Sequence, residues 1–236
     1  MRVPMVPSLV LGVLLTAAPA FAGAVGPSAY LQFSDSPWDT LPFSYFHLET
    51  FEDHLLNVPG VSASAGGVTS VVFGPSIHDS VDADDGVIDG SGLLGDSYFS
   101  ASGSAGITFS FSSGVLGALP THAGIVWTDG GAGAGVTFRA FGPGAVLLGT
   151  ITAIGVGDGS NSGQTAEDRF FGWTDAGGIA AIFISNTAGG IEVDHLQYGR
   201  ESVGAAVPLP SASVAGLALL GALGTVGIVR RRRRTV

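Results

Sequence analysis

The chain contains no cysteine and no lysine. Without thiols there are no disulfides, no thiolate metal ligands and no cysteine nucleophile. An exported domain of this kind depends on its core or on bound ions for stability. Without lysine, positive charge comes from arginine alone, and Arg2 and Arg230–Arg234 sit at the two ends. The stretch between them, Gly23–Ala206, keeps only Arg139, Arg169 and Arg200 against all 19 acidic residues, a formal charge of −16. That balance excludes a nucleic-acid backbone as partner, because phosphate contacts need a positive patch. Long stretches of helical periodicity are missing as well. So are the G-x-S-x-G, H-E-x-x-H, P-loop and G-x-G-x-x-G patterns that mark common catalytic or nucleotide sites.

What is present begins with a leader. Arg2 forms a short positive region, Val6–Ala18 is apolar, and Ala20-Phe21-Ala22 fits a small-x-small cleavage site. Residues 1–22 are therefore expected to be a secretory signal peptide, with the secretion machinery as first partner. At the other end, Ser211–Val229 is an uncharged run of 19 residues. As a helix it would be roughly 28 Å long, enough to span the hydrocarbon core of a bilayer. The arginines after it should stay cytoplasmic, leaving the body outside.

The tetrapeptide Val207-Pro208-Leu209-Pro210, the apolar run and the Arg230, Arg231, Arg232, Arg233, Arg234 cluster follow one another at the extreme end. In that order they resemble the PEP-CTERM sorting signal of exported bacterial proteins, in its VPLP variant, with Leu209 in place of the usual glutamate. The same type of tail also carries an ice-binding-protein label, which names the tail rather than an activity. The resemblance implies recognition by an exosortase, membrane anchoring followed by processing, and delivery to the cell surface or extracellular matrix. Phrases in the body, such as "FEDHLLNVPGV", "THAGIVWTDGG" and "IEVDHLQYG", also resemble exported proteins of this group, and that likeness implies no chemistry.

Between the signals lies a glycine-rich body, with 33 glycines in 184 residues, about 18% against a typical ~7%. Short β-branched and aromatic runs alternate with turn residues. Strands are predicted over Ser44–Phe51, Gly67–Gly74, Gly106–Ser113, His122–Asp129, Gly135–Gly142, Ala145–Gly155, Arg169–Asp175, Gly178–Asn186 and Gly190–Gly199. This pattern predicts an all-β fold, an antiparallel β-sandwich of jelly-roll type, over residues 43–201. Residues 23–42 read as an irregular N-terminal arm, and residues 202–206 as a spacer.

The densest chemical feature is "HDSVDADDGVIDGSG", which packs Asp79, Asp82, Asp84, Asp85 and Asp89 into eleven residues. Carboxylates this close repel unless a cation neutralises them or water screens them. Calcium suits such a loop because it takes six to eight oxygens in flexible geometry. β-Sandwich carbohydrate-binding modules often tie first and last strands together with a structural calcium, and on that analogy Glu52 and Asp194 join Asp82, Asp84 and Asp85 as expected ligands. The two-residue strand period puts Glu192 and Asp194 on one face. A solvated acidic turn is the competing reading.

For catalysis there is little. His54 and His195 each follow an acid, but neighbours on a strand face opposite ways. Glu167-Asp168 could act as a glycosidase-like pair, although a local ion pair with Arg169 fits better. Trp127 and Trp173 could stack on sugar rings, although strand tryptophans more often fill cores. The sequence therefore points first to a non-enzymatic, exported structural or adhesive protein. A calcium-dependent polysaccharide-binding module and a glycan-acting hydrolase are the alternatives.

Overall fold

In the computed structural model the described residues are 22–74 and 79–202. The sorting motif Val207–Pro210, the span 211–229, the arginine cluster, His78 and all of the expected signal peptide except Ala22 lie outside them. Among the described residues no helix is long and apolar enough to cross a membrane.

The described residues are mostly β-sheet, as the all-β expectation requires, and build two antiparallel sheets. Its strands are β1 (Gly23–Ala29), β2 (Phe43–Glu49), β3 (Val61–Ala63), β4 (Gly67–Val68), β5 (Tyr98–Ser100) and β6 (Ile107–Phe111). They continue with β7 (His122–Gly130), β8 (Val136–Phe141), β9 (Leu147–Ala153), β10 (Arg169–Thr174), β11 (Ala181–Asn186) and β12 (Ile191–Glu201). The larger sheet runs β1-β10-β7-β12-β5-β4, with β2 also paired to β12; the smaller runs β3-β6-β11-β8-β9.

Alternation builds the core between them. In β6, Ile107, Phe109 and Phe111 are buried while Ser110 is exposed. Val136, Phe138 and Ala140 of β8 and Ile182 and Ile184 of β11 add to the same layer. They meet Ile125 and Trp127 of β7, Phe171 of β10 and Val193 and Tyr198 of β12. Ring contacts join the two sheets: Phe138 with Phe171 at 6.3 Å between centroids, Phe111 with Tyr198 at 4.8 Å. Half-buried strands alternating in this way match an antiparallel sheet with one apolar face.

The larger sheet departs from that rule. β7 and β12 are buried on both faces. Their outer face is covered by residues 30–41 and 79–97. Tyr30, Trp38, Val81, Val126 and Phe170 form a second, smaller apolar cluster there. Trp38 lies edge-on to Phe170 at 5.0 Å. Its ring rests over Gly124 and Gly172, which are paired across β7 and β10. A Cβ at either glycine would come within 2.9 Å of that ring.

Two sequence expectations change, and two short strands were not foreseen. Residues 23–29 are not irregular but form an edge strand paired with β10; the irregular part begins at Tyr30 and folds over the sheet. Gly67–Gly74 is a strand only at Gly67–Val68, then turns into a short helix at Thr69–Phe73, where the Thr69 and Ser70 side chains bond to Asp96. The short strands β3 and β5 carried too few residues to stand out.

Candidate functional site

The covering segment 79–97 is fastened to β12 by the polar residues of the outer face. Glu192 Oε2 accepts the Asp79 amide at 3.1 Å and the Ser97 hydroxyl at 3.1 Å. Asp194 Oδ2 accepts the Val81 amide at 2.9 Å. The shared face expected for Glu192 and Asp194 is thus the face that holds the acidic loop.

Two irregularities bring further groups there. Glu192 pairs with Asp129 but Val193 with Trp127, so β7 carries one extra residue at Thr128. Asp194 pairs with Val126 but Gln197 with Gly124, so β12 carries another. The second bulge includes His195, whose φ is +42°. Bulges re-aim side chains in this way. The expectation that Asp194 and His195 face opposite ways is corrected by it: both are buried in one site.

At that first site, Asp84, Asp194 and His195 place ligand atoms within 4.8 Å of one another. His195 Nε2 lies 2.9 Å from Asp84 Oδ1, and His195 Nδ1 lies 2.8 Å from the Tyr30 hydroxyl. Gln197 donates to the same hydroxyl at 2.9 Å, and Ser36 donates to Gln197 Oε1 at 2.6 Å. Because Gln197 donates to the Tyr30 oxygen, the hydroxyl proton is directed to Nδ1, and Nε2–H is left to donate to Asp84. An acid, an imidazole and a hydroxyl in line resemble a catalytic relay, but Tyr30 and Asp194 are fully buried and His195 is 3% exposed. Burial, with the negative charges of Asp194 and Asp84, pushes the Tyr30 hydroxyl far up, which makes it a poor nucleophile. Burial, the Asp84 charge and its hydrogen bond raise Asp194 well above the usual carboxylate range.

The five expected calcium ligands are only partly brought together. Asp84 and Asp194 meet, and Glu52 feels the Asp84 charge. Glu52 Oε1 accepts the Asp96 amide at 2.6 Å; the residue is exposed overall, but burial of its carboxylate head lifts its pKa to about 7. Asp82 turns elsewhere. It accepts amides from Asp89, Gly90 and Ser91 at 3.1–3.2 Å and the Thr165 hydroxyl at 3.1 Å. Asp85 closes a local turn by accepting the Val87 amide at 2.9 Å. For Asp82 and Asp85 the expected ligand role gives way to loop anchoring.

A second acidic site was not foreseen. Asp79, Asp129 and Glu167 place carboxylate oxygens within 4.8 Å of one another. Asp79 is 1% exposed and neither of its oxygens has a partner in ordinary hydrogen-bond geometry; the Gly163 amide lies near enough to lower its pKa slightly. Asp129 Oδ1, Glu167 Oε1 and both oxygens of the fully buried Asp168 are also without partners. Burial, then the charges of Glu192, Asp129 and Glu167, raise Asp79 to about 9. Burial lifts Glu167 and Glu192 to about 8 and Asp129 to about 6. Asp168 is driven well above its ordinary range by burial, then by Asp79 and Glu167. Arg169 donates to the Ala166 and Asp168 carbonyls at 3.0 and 2.8 Å, and of the expected ion pair its charge acting on the Asp168 carboxylate remains. Arg200 likewise donates to the Leu119 carbonyl, and Arg139 lies over the Phe183 ring. Asp79 and Glu167 were visible in the sequence as acids, but only the bulge at Thr128 and the fold of the covering segment join them to Asp129.

No protein-family model, curated protein or solved structure matches the chain.

Proposed function

We propose that this chain is an exported, non-enzymatic component of the cell envelope or extracellular matrix, structural or adhesive in role. Its body is a jelly-roll sandwich. The order of β5 to β12 supports this: β5-β12-β7-β10 lie in one sheet and β6-β11-β8-β9 in the other, the arrangement of two interlocked Greek keys. The C-terminal signal delivers it, through an exosortase and an initial membrane anchor.

The observation that carries the reading is where the reactive side chains point. Trp38, Trp127, Tyr30, Tyr98 and Tyr198 are buried, and Trp173 and Tyr45 are half-buried. Sugar-binding platforms need such rings exposed. The clustered carboxylates are packed between a sheet and its covering segment, with oxygens closer than the roughly 5–9 Å separation of glycosidase acid pairs. The chemistry therefore serves the frame, and calcium belongs to this reading as a structural ion.

The test is localisation. In a host with the processing enzyme, the intact chain is expected in the envelope or matrix fraction. Deleting Val207–Val236 is expected to release the body to the medium. A tail-less body that still reaches the matrix would overturn the delivery route, and turnover of a glycan by the purified chain would overturn the non-enzymatic role.

A further inference from the structure

We propose that Asp79, Asp129 and Glu167 form a calcium site, with Asp168 and Glu192 as its outer ring. The inference deepens the structural role above, because the ion would lock segment 79–97 onto the larger sheet.

The argument starts from partners. A buried carboxylate is normally matched by N–H or O–H donors. Here six carboxylate oxygens lack a donor in ordinary hydrogen-bond geometry: two on Asp79, which only the Gly163 amide approaches, one each on Asp129 and Glu167, which face each other, and two on Asp168. Asp79 is almost wholly buried, and its carboxylate is aimed at two others. None of the three arginines of the body donates a hydrogen bond to these carboxylates. Such a group either takes up a proton or is matched by a cation. The donors are all oxygens, with no imidazole among the three, so a hard cation fits better than zinc or copper. Calcium accepts irregular geometry with six to eight oxygens, whereas magnesium demands a tight octahedron and keeps its waters. Asp129 is half-buried, which leaves the ion a way in.

The first site differs in kind. Both ring nitrogens of His195 and both oxygens of Asp194 are already engaged. It is a hydrogen-bonded clasp in which one oxygen, Asp84 Oδ2, is unmatched, against six at the second site.

The experiment uses the full-length chain, purified in detergent, with calcium added from the micromolar range to 10 mM. Binding is read by calorimetry and by melting temperature. Calcium is expected to bind and to raise the melting point by roughly 5–10 °C at a hundredfold excess over Kd. Magnesium is expected to do less. Asp129→Asn with Glu167→Gln should abolish the calcium response, while Asp84→Asn should keep it. The double variant removes repulsion, so in chelator it should melt no lower than the parent; this separates a lost site from a lost fold. The proposal fails if the parent does not respond to calcium, if the double variant responds as the parent does, or if only Asp84→Asn loses the response. These outcomes are independent of where cells deliver the chain.

Discussion

Two groups of carboxylates lie under one covering segment, and their surroundings are opposite. Around His195 most oxygens have donors: Asp194 takes two amides and Asp84 Oδ1 an imidazole, leaving only Asp84 Oδ2 unmatched, and Asp82, further along the same loop, takes three amides and a hydroxyl. Around Asp79 most oxygens face other oxygens, and of the three ligands Glu167 alone takes an amide in ordinary hydrogen-bond geometry, that of Asp158 on Oε2 at 2.6 Å. Residue type and burial are the same, so the difference lies in the supply of N–H groups. The loop after Asp82 bends at Gly86 and Gly90, both at φ +91°, which brings successive amides to one carboxylate. No such turn serves Asp79. A count of acids therefore says little; what decides their role is which of them the backbone can reach.

The largest effect should come from breaking the matched group. Asp82→Ala leaves three amides and the Thr165 hydroxyl without an acceptor in a site that is 1% exposed. A loss of about 3–5 kcal/mol in urea unfolding is expected, the scale for orphaning a buried charged network. A loss below 1 kcal/mol would mean that water replaces the carboxylate.

In the unmatched group the sign reverses. Asp79 must either hold a charge among charges or take up a proton, and asparagine needs neither. In chelator at pH 8, Asp79→Asn is expected to stabilise by about 2 kcal/mol, as buried charges often do when neutralised. Destabilisation there would show that Asp79 has a donor after all.

The same contrast sets the pH dependence. Asp79, near 9, and Glu167 and Glu192, near 8, have folded pKa values above their ordinary ones. The folded state thus binds more protons than the unfolded chain, so the associated stability is full below about pH 4 and is lost as pH rises through 8 and 9. His47 and His122 work the other way: burial lowers both, and their contribution is lost as pH falls below about 6.5. Between pH 7 and 9 the carboxylates act alone, and the chelated protein should lose on the order of 5 kcal/mol. Saturating calcium should flatten that slope. A chelated protein whose stability is level from pH 7 to 9 would contradict the raised values.

Much of the fold could be read beforehand, and the reason is local. Ile107-Thr108-Phe109-Ser110-Phe111 alternates because one face meets the core and the other meets water. "IEVDHLQYG" alternates too, but its polar face is buried, and only the covering segment 30–41 and 79–97 makes it so. That packing joins residues more than a hundred positions apart, such as Asp79 with Glu192. Asp84 and Asp194 were expected together only by analogy with calcium-tied β-sandwich modules, and the structure brings them together. Asp129 was not, because its direction depends on one extra residue at Thr128. Nor was His195, because a strand period cannot anticipate a bulge. Glu167 was weighed as half of a glycosidase-like pair with Asp168 and as a partner of Arg169, which bonds with carbonyls, and not as a neighbour of Asp79.

The smallest effect sharpens the distinction most. Tyr30→Phe keeps the ring between Phe170 and His195 and removes only the hydroxyl. His195 Nδ1 then lacks its donor and Gln197 Nε2 its acceptor, both in a buried place. A loss of about 1–2 kcal/mol is expected, the cost of leaving two buried polar groups unpaired. The His195–Asp84 contact remains available, because Nε2 keeps its proton. If the clasp and the unmatched carboxylates are separate devices, this loss should be the same in chelator and in saturating calcium. Changes that do not share a site add. If calcium instead erases the loss, or Tyr30→Phe weakens calcium binding, the two groups form one coupled centre, and the division drawn between them fails. Paired melts of parent and variant, with and without calcium, decide it.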